Sequence, residues 1–282
     1  MLIKRHLLMS SIALVLVTAM ACGTTVTPTP VAAPTPVPAP TATATPAPSP
    51  TAVIVPTATP TPRPPIQTKT LFEQRVEQLP QLPICWDVRT GSLAPGAKSP
   101  ATGSHSHAWV VSYVTAGAER VTYEGGASFT VNTGEGILFA ADKPHTHESI
   151  GTVPRTNIGF ELTCTRQTGS VATSGPLPGI KSGAVPYQVQ ARERNWPSGA
   201  QTPVHKLSGP TTTYVLEGTI GRSTASGTAR SGPGEVYVSP VGEIAQNTCV
   251  SSTPCRTLDT DTWPTGETRS VTQPPDVRLP SP

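Results

Sequence analysis

The sequence lacks the motifs of several large enzyme classes. It contains no phosphate-binding loop, no dinucleotide-binding glycine motif and no Gly-x-Ser-x-Gly nucleophile turn. Asp87, Asp142 and Asp259 have no sequence relation to a nucleophile, so no Ser/His/Asp set can be assigned. The sequence therefore gives no support to a nucleotide-dependent enzyme or a serine hydrolase.

Excess positive charge is also missing. The formal net charge is +3, and it falls to about +1 when Lys4 and Arg5 are removed with a predicted signal segment. Proteins that bind nucleic acid neutralise phosphates with clusters of Lys and Arg. We therefore expect no nucleic-acid partner.

The apolar run near the start of the chain, residues 7–17, is too short and wrongly flanked for a standard membrane span. With its positively charged start and the small residues that follow, it predicts a signal segment over residues 1–21. Ala19-Met20-Ala21-Cys22 resembles the bacterial lipoprotein processing box, in which the cysteine carries a lipid anchor. We expect a lipid anchor at Cys22 on the extracytoplasmic face of a bacterial cell envelope. An ordinary signal peptide is the alternative.

Charged residues are almost absent from the next segment. Between residues 24 and 65 the only charged side chain is Arg63, and most of the others are Thr, Pro, Ala and Val. Proline removes backbone donors and fixes φ, and nothing here is amphipathic. We therefore predict a disordered, extended spacer over residues 22–68, which at ~3.1 Å per residue spans on the order of 100 Å.

The cysteines indicate an oxidising compartment. Besides Cys22 there are four, Cys85, Cys164, Cys249 and Cys255, and an even number in an exported chain favours disulfides. The short separation of the last two suits closure of a hairpin, which leaves the first two to pair. Three connectivities are open, and a Cys/His metal cluster is the alternative to disulfides.

The body of the chain predicts an all-β fold. Short segments rich in β-branched and aromatic residues, such as residues 109–114, alternate with Gly-, Asn- and Asp-containing turns. The exception is a short helix predicted over residues 69–84. Its expected start is a capping Thr70 with Glu73 three residues later, and Pro80 ends it.

The two halves of the body resemble each other. The segment Tyr113–Gly117 matches Tyr214–Gly218, and Gly134-Glu135 matches Gly234-Glu235, at an offset of about one hundred residues. Each half has enough short strands for a small barrel. The predicted boundaries are 85–166 for the first domain, 167–185 for a linker, 186–267 for the second domain and 268–282 for a disordered tail.

The histidines point to a metal site. After the signal segment four of them form two His-x-His pairs, His105/His107 and His145/His147, and the fifth is His205. Alternate side chains of a strand face the same side, so each pair directs two imidazoles into one cavity. Neutral imidazole suits Fe, Zn, Cu and Ni, and Mn less strongly. We therefore predict a divalent transition metal bound by these four residues.

These motifs resemble the cupin superfamily, whose members fold as a double-stranded β-helix or jelly-roll barrel. The family's first motif is Gly-x5-His-x-His-x3–4-Glu-x6-Gly, and its second is Gly-x5-Pro-x-Gly-x2-His-x3-Asn. His105 and His107 match the first motif, and Gly134 and His145 match the spacing of the second. The resemblance implies two tandem cupin barrels, with His105, His107 and His145 as metal ligands. If the strand stays extended, His147 points the same way as His145 and is the expected fourth ligand.

The chain also departs from the family pattern. The family's Glu ligand would fall at Val111 or Ser112, so it is missing. The second half keeps at most His205, with Leu207 and Ala245 where the other histidines would stand. The resemblance therefore implies a metal site in the first barrel and a degenerate second barrel.

Three functions remain open from the sequence. The first is a tethered metalloprotein that acts on a small organic molecule, since some cupin dioxygenases resemble this all-histidine arrangement; isomerase-like chemistry is a second reaction class. Tyr113 and Glu124 are candidate polar neighbours of the metal. The second function is a non-catalytic module that binds a small molecule or carbohydrate, and the third is a structural envelope lipoprotein. The sequence does not set the oligomeric state.

Overall fold

The structure is a computed structural model that describes residues 63–79, 83–180 and 185–282. The predicted signal segment, Cys22 and most of the predicted spacer lie outside the described residues. The described part is all-β, as the sequence predicts, with nineteen strands and no helix. No helix in these ranges is therefore long and apolar enough to cross a membrane.

The strands follow one another along the chain in this order: β1 (Gln67–Val76), β2 (Cys85–Leu93), β3 (Lys98–Ser99), β4 (Val110–Ala116), β5 (Ala118–Tyr123), β6 (Ser128–Asn132), β7 (Gly136–Phe139), β8 (His145–Ile150), β9 (Arg155–Leu162), β10 (Ser170–Pro176), β11 (Tyr187–Trp196), β12 (His205–Leu207), β13 (Thr211–Glu217), β14 (Ile220–Thr224), β15 (Gly227–Ser231), β16 (Val236–Ser239), β17 (Ile244–Cys249), β18 (Cys255–Pro264) and β19 (Ser270–Thr272).

The strands form two jelly-roll barrels of two antiparallel sheets each. In the first barrel the larger sheet has the order β10-β2-β9-β4-β7, and the smaller has the order β3-β8-β5-β6. In the second barrel the orders are β1-β11-β18-β13-β16 and β15-β14-β17-β12-β19. The duplication that the sequence predicts is therefore present in the fold.

The two larger sheets share one apolar core. The largest cluster of buried side chains in the described part includes Trp86 and Phe160 from the first barrel and Tyr214 and Leu258 from the second. The rings of Phe160 and Tyr214 meet edge to face, with centroids 6.5 Å apart. The apolar contact between the barrels thus stabilises both of them.

The central strands of these sheets, β4, β9, β11, β13 and β18, are largely buried on both faces. In β4, Val111 and Tyr113 belong to the shared core, whereas Val110 and Val114 belong to a separate cluster inside the first barrel. The period-2 alternation of a strand assigns neighbouring residues to opposite cores. One face of β4 therefore holds the barrels together, and the other faces the barrel interior.

The helix predicted over residues 69–84 is wrong, because β1 occupies residues 67–76 and pairs with β11 of the second barrel. The register shifts between Thr70 and Phe72, so that Leu71 and Phe72 are both partly buried. A β-bulge of this kind breaks the alternation of a strand and imitates helical spacing. The sequence of this segment does contain helix-like spacing, but pairing with the distant strand β11 determines its structure.

Two other segments also carry strands. β10 lies in the predicted linker, residues 167–185, and pairs with β2, while β19 lies in the predicted tail, residues 268–282, and pairs with β12. Both strands are edge strands that complete a sheet. The two barrels therefore extend beyond their predicted boundaries.

The structure contains the disulfides Cys85–Cys164 and Cys249–Cys255, which are the pairs that the sequence analysis favoured. The first joins the start of β2 to the residues after β9, its neighbour in the sheet. The second closes the connection between β17 and β18. Both bonds thus fix strands that face a barrel interior.

We predict that Phe160→Ala lowers the free energy of unfolding by about 3–5 kcal/mol, because it removes a buried ring from the shared core. Urea unfolding measured by tryptophan fluorescence checks this value. Val171→Ala, at a position that is 44% exposed, is the control and should change stability by less than about 0.5 kcal/mol. A loss below about 1 kcal/mol for Phe160→Ala would show that the barrels do not depend on this contact.

Candidate metal centre

The two histidine pairs are brought together by a backbone bridge. The amide of His105 donates to the carbonyl of His145 at 3.0 Å, and the amide of His145 donates back at 2.9 Å. His145 and His147 open β8, and the alternation of that strand directs both side chains into the first barrel. The predicted set of four histidines therefore lies together.

The imidazoles converge closely. Nε2 of His145 lies 3.1 Å from Nε2 of His107 and 3.1 Å from Nε2 of His147. Counting one ring nitrogen from each residue, the four nitrogens of His105, His107, His145 and His147 lie within 4.8 Å of one another. Nitrogens this close can contact a single ion.

Hydrogen bonds fix the tautomers of three of these rings. Nδ1 of His107 donates to the Ala108 carbonyl at 2.7 Å, and Nδ1 of His145 donates to the Lys143 carbonyl at 2.7 Å. A carbonyl oxygen only accepts, so the proton sits on Nδ1 and Nε2 keeps its lone pair.

His147 follows the same rule. Its Nδ1 donates to Oε2 of Glu119 at 3.1 Å, which leaves a lone pair on Nε2. His105 differs, because its Nδ1 is buried and has no hydrogen-bond partner among the described residues. Three lone pairs that face one another, beside a fourth ring with a buried nitrogen in need of a partner, fit a cation at this position.

Glu119 contacts the histidine cluster through its hydrogen bond with His147. It is fully buried, and its Oε2 also accepts from Arg155 at 2.9 Å. Burial acts to raise the pKa of Glu119, but the hydrogen bond from His147 and the charge of Arg155 bring it below its ordinary value. The carboxylate is therefore ionised, and it orients His147 as outer-sphere carboxylates orient metal-binding histidines.

Two of the imidazoles, those of His105 and His107, resist protonation. Burial, and then the neighbouring rings, lower the pKa of His105 to about 4. Burial likewise lowers the pKa of His107 to about 4, against the hydrogen bond to Ala108 that acts to raise it. Neutral imidazole is the form that binds metal, so His105 and His107 keep their binding form well below neutral pH.

A cavity of about 220 Å³ opens beside the histidines; we call it the metal-site cavity. Besides His105, His107 and His147 its lining includes Arg89, Ser112, Phe139, Arg155, Asn157, Gly91 and Gly159. Arg89 forms an ion pair with Glu161, and Arg155 forms one with Glu119. The cavity thus presents guanidinium groups whose charges are balanced by carboxylates.

The two barrels can be aligned through the register of their sheets. Val110 faces Glu161 across β4 and β9, and Thr211 faces Asp261 across β13 and β18. Gly159 of the first barrel therefore corresponds to Asp259 of the second.

By the same alignment, Gly91 of the first barrel corresponds to Arg194 of the second. The first barrel has an open interior because it has glycines at these two places, Gly91 and Gly159. The second barrel has Arg194 and Asp259 there, and their charged side chains form an ion pair inside it. Two glycines in the first barrel thus account for much of the difference between the two interiors.

The second barrel has lost the histidine cluster. His205 pairs with Ala245 in the register that joins His105 to His145 in the first barrel. The residues that correspond to His105, His107, His145 and His147 are His205, Leu207, Ala245 and Asn247. The prediction of a degenerate second site agrees with this arrangement.

The candidate neighbours named from the sequence do not lie at the site. Tyr113 faces the shared core, where burial and Glu193 raise its pKa to about 12. Glu124 is exposed at the turn after β5. Ser112, one of the two positions where the family's Glu would fall, does line the cavity, and Val111 lies in the shared core.

Several residues of the site were missed from the sequence. In β9 a polar face of Arg155, Asn157, Gly159 and Glu161 alternates with an apolar face. This alternation was visible and could have placed those side chains in a barrel. Glu119 and Arg89 carry no comparable signal, because their partners are distant in sequence.

Comparison with known families gives one match to this region. Residues 90–156 match the family model described as a cupin domain. This part of the chain, in the first barrel, is a cupin domain. The matched residues run from β2 to the start of β9 and include all four clustered histidines. No curated protein sequence matches significantly.

Solved structures of oxalate decarboxylase from Bacillus subtilis are similar to this chain. An arginine-to-alanine mutant aligns with a TM-score of 0.50 and 15% identity, over 73% of this chain and 77% of that chain. A structure at pH 4.6 gives 0.49 and 16%, over 73% and 76%. A third, solved to assign the Mn(II) centres of that enzyme, gives 0.49 and 15%, over 73% and 77%. At 15% identity the first of these similarities supports the fold alone, a pair of jelly-roll barrels.

We predict that the metal-free protein loses stability as the pH falls from 6.5 towards about 4. In the unfolded chain His105 and His107 take up protons near pH 6.5, whereas in the folded protein they do so only near pH 4. Protons thus bind preferentially to the unfolded state in this window. Urea unfolding of chelator-treated protein at several pH values measures the effect.

The control is the His105→Asn/His107→Asn variant, which keeps all other titrating groups. The stability of the native sequence should fall more steeply than that of the variant between these pH values. Parallel curves would contradict the assigned environment of the histidines.

Proposed function

We propose that this protein is an envelope-tethered bicupin whose first barrel holds a divalent transition metal and binds a small organic anion beside it. The observation that carries the proposal is that Nε2 of His145 lies 3.1 Å from Nε2 of His107 and 3.1 Å from Nε2 of His147, while an acceptor at each Nδ1 leaves a lone pair on each Nε2. Without a cation such an arrangement is repulsive, and a metal makes it favourable.

The ligands would be His105, His107, His145 and His147, with Glu119 orienting His147. When bound, the metal would supply Lewis-acid or redox chemistry, according to its identity. All four ligands are neutral, so the positive charge of the ion is not reduced within the cluster. The donor set suits Fe, Zn, Cu or Ni, and Mn less well.

An anionic ligand follows from the charges around the cavity. Glu119 and Glu161 already balance Arg155 and Arg89, so neither of these two carboxylates offsets the charge of the metal. Arg89 and Arg155 can also donate hydrogen bonds to a carboxylate. At about 220 Å³ the cavity lies below the range of drug-sized sites and fits a molecule of few atoms.

Two outcomes are possible for the bound anion. The metal-dependent reaction, of dioxygenase or isomerase type, is the first. The second is binding without catalysis, and one observation favours it: the two carboxylates beside the cavity are both engaged by arginines, so neither is free to transfer protons. Turnover of the anion under air and under argon distinguishes the two.

The location belongs to the same proposal. It is supported by the signal-like residues 1–21, the lipoprotein-type Cys22 and the proline-rich spacer over residues 22–68. The two disulfides of the body suit an oxidising compartment. A long spacer would separate the barrels from the membrane surface.

We predict about one metal ion per chain in protein purified from an exporting host without chelator. The His105→Ala/His145→Ala variant should contain none, because it loses two of the four ligands. Elemental mass spectrometry measures both. His205→Ala, which removes a histidine from the second barrel, is the matched control and should keep the metal. Equal metal content in all three proteins would refute the site.

We predict that Gly159→Asp weakens the binding of a small dicarboxylate by about tenfold or more, because it adds a negative charge inside the cavity. A β-carbon fits there, since its closest neighbours would be 3.9 Å away. Oxalate, the compound in the name of the similar enzyme, is the first probe, measured by calorimetry.

Gly159→Ala is the matched control, since it adds the same β-carbon without the charge. Both variants should retain the metal. Equal affinity for oxalate in Gly159→Asp and Gly159→Ala would contradict an anion site in this cavity.

A further inference from the structure

The second barrel replaces the histidine cluster with a network of arginines. Arg192 forms ion pairs with Asp261 at 2.6 Å and with Asp259 at 3.4 Å. Nε of Arg194 lies 2.8 Å from Asp259, and Arg269 lies 3.5 Å from Asp261. Three cations therefore share two carboxylates inside one barrel.

The two carboxylates have little capacity for further bonds. Thr211 donates to Oδ1 of Asp261 at 2.6 Å, and Thr213 donates to Oδ1 of Asp259 at 3.0 Å. Arg192 and Arg194 occupy the Oδ2 atoms, and Arg269 shares Oδ1 of Asp261 with Thr211. The network thus carries one positive charge more than its carboxylates balance.

Neighbouring carboxylates do not supply the missing charge. Glu193 pairs with Arg256, and Glu243 pairs with Arg222. In the described part of the chain no third carboxylate forms an ion pair with the network. The side chain of Arg194 is only 12% exposed, so water solvates it poorly. A surplus cation in such a place is costly without a counterion.

The network opens onto a cavity of about 280 Å³, which we call the arginine cavity. Its lining includes all three arginines, His205, and the hydroxyl side chains of Thr68, Ser270 and Thr272. Guanidinium groups and hydroxyls are the donors that recognise oxyanions. The cavity therefore combines a charge to be neutralised with the groups that bind its counterion.

His205 lines the arginine cavity beside these charges. Its Nδ1 donates to the Pro203 carbonyl at 2.9 Å, so Nε2 keeps a lone pair. Burial, and then the charges of Arg194, Arg269 and Arg192, lower its pKa below the ordinary value. His205 thus senses the charge inside the cavity.

We propose that the arginine cavity is a binding site for a small oxyanion, such as a carboxylate or phosphate, held by Arg194 and Arg269 in the barrel that has no histidine cluster. The site corresponds in position to the metal site of the first barrel, but it needs no metal. The two barrels would then bind ligands by different chemistry, one through imidazoles and the other through guanidinium groups. This inference does not depend on the metal of the first barrel.

The test is calorimetric titration of the full-length protein with inorganic phosphate and, separately, with acetate, at low ionic strength. The wild type should bind at least one of the two, and the anion that it binds more tightly shows whether the site prefers phosphates or carboxylates. Arg269→Gln and Arg194→Gln should each weaken binding by about tenfold or more, because each removes the surplus charge. Arg269→Gln is the safer variant, since that side chain is 29% exposed.

Arg230→Gln is the matched control, because Arg230 is exposed on β15 and the same charge is removed outside the cavity. It should bind as the wild type does. The His105→Ala/His145→Ala variant should also bind, which separates this site from the first barrel.

A local signal completes the test. The imidazole protons of His205, assigned with a His205→Asn variant, should titrate at a higher pH when the anion is present, since a nearby negative charge favours the protonated ring. No binding of either anion by the wild type would overturn the proposal. Binding that survives in both Arg194→Gln and Arg269→Gln, or that leaves His205 unchanged, would overturn it too.

Discussion

Three imidazole lone pairs that face one another are unfavourable in a protein without a cation, and the first barrel is built to hold them there. The backbone bridge between His105 and His145 brings the two histidine pairs together. The acceptors at Ala108, Lys143 and Glu119 fix the proton on the far nitrogen of each ring. The arrangement is specific because the backbone supplies part of it and a buried carboxylate supplies the rest.

The strands that carry this site are also those that stabilise the fold. In β9, Arg155, Asn157 and Gly159 face the metal-site cavity, while Ile158 and Phe160 face the second barrel. Because successive side chains of a strand point to opposite faces, β9 contributes to the cavity on one face and to the shared core on the other, and the two are coupled. A change that shifts β9 would alter the core and the site together. The second barrel, which has no histidine cluster, still stabilises the first barrel through the shared core.

The comparison of the two barrels shows how a duplicated fold changes its interior. At two aligned places the first barrel has Gly91 and Gly159, and the second has Arg194 and Asp259. The glycines leave room for a ligand beside the histidine cluster, whereas the charged pair fills the corresponding space and creates an ionic network. Burying such a network is favourable only when its charges are balanced, which is why the surplus arginine of the second barrel needs an anion.

The sequence was sufficient for the histidine set and the duplication, because both rest on short local patterns. His-x-His spacing survives in any extended strand, and the repeated Tyr-Val-x-x-Gly segments mark equivalent turns. It was not sufficient for β1, whose bulge imitates a helix and whose partner β11 begins more than one hundred residues later.

Contacts between distant strands also form the surroundings of the histidine cluster, and the sequence did not predict them. Glu119 and Arg155 meet only because β5 and β9 belong to the same barrel, and no spacing rule connects them. Tyr113 was misplaced because alternation alone does not tell which face of a doubly buried strand looks inward.

The most direct measurement is anomalous diffraction from crystals of the protein purified without chelator. The account predicts one strong peak per chain, among the imidazoles of His105, His107, His145 and His147, and no peak near His205. Absence of a peak at the four histidines after soaking with Fe, Zn, Cu, Ni and Mn salts would contradict the account. So would a peak of equal strength in the second barrel.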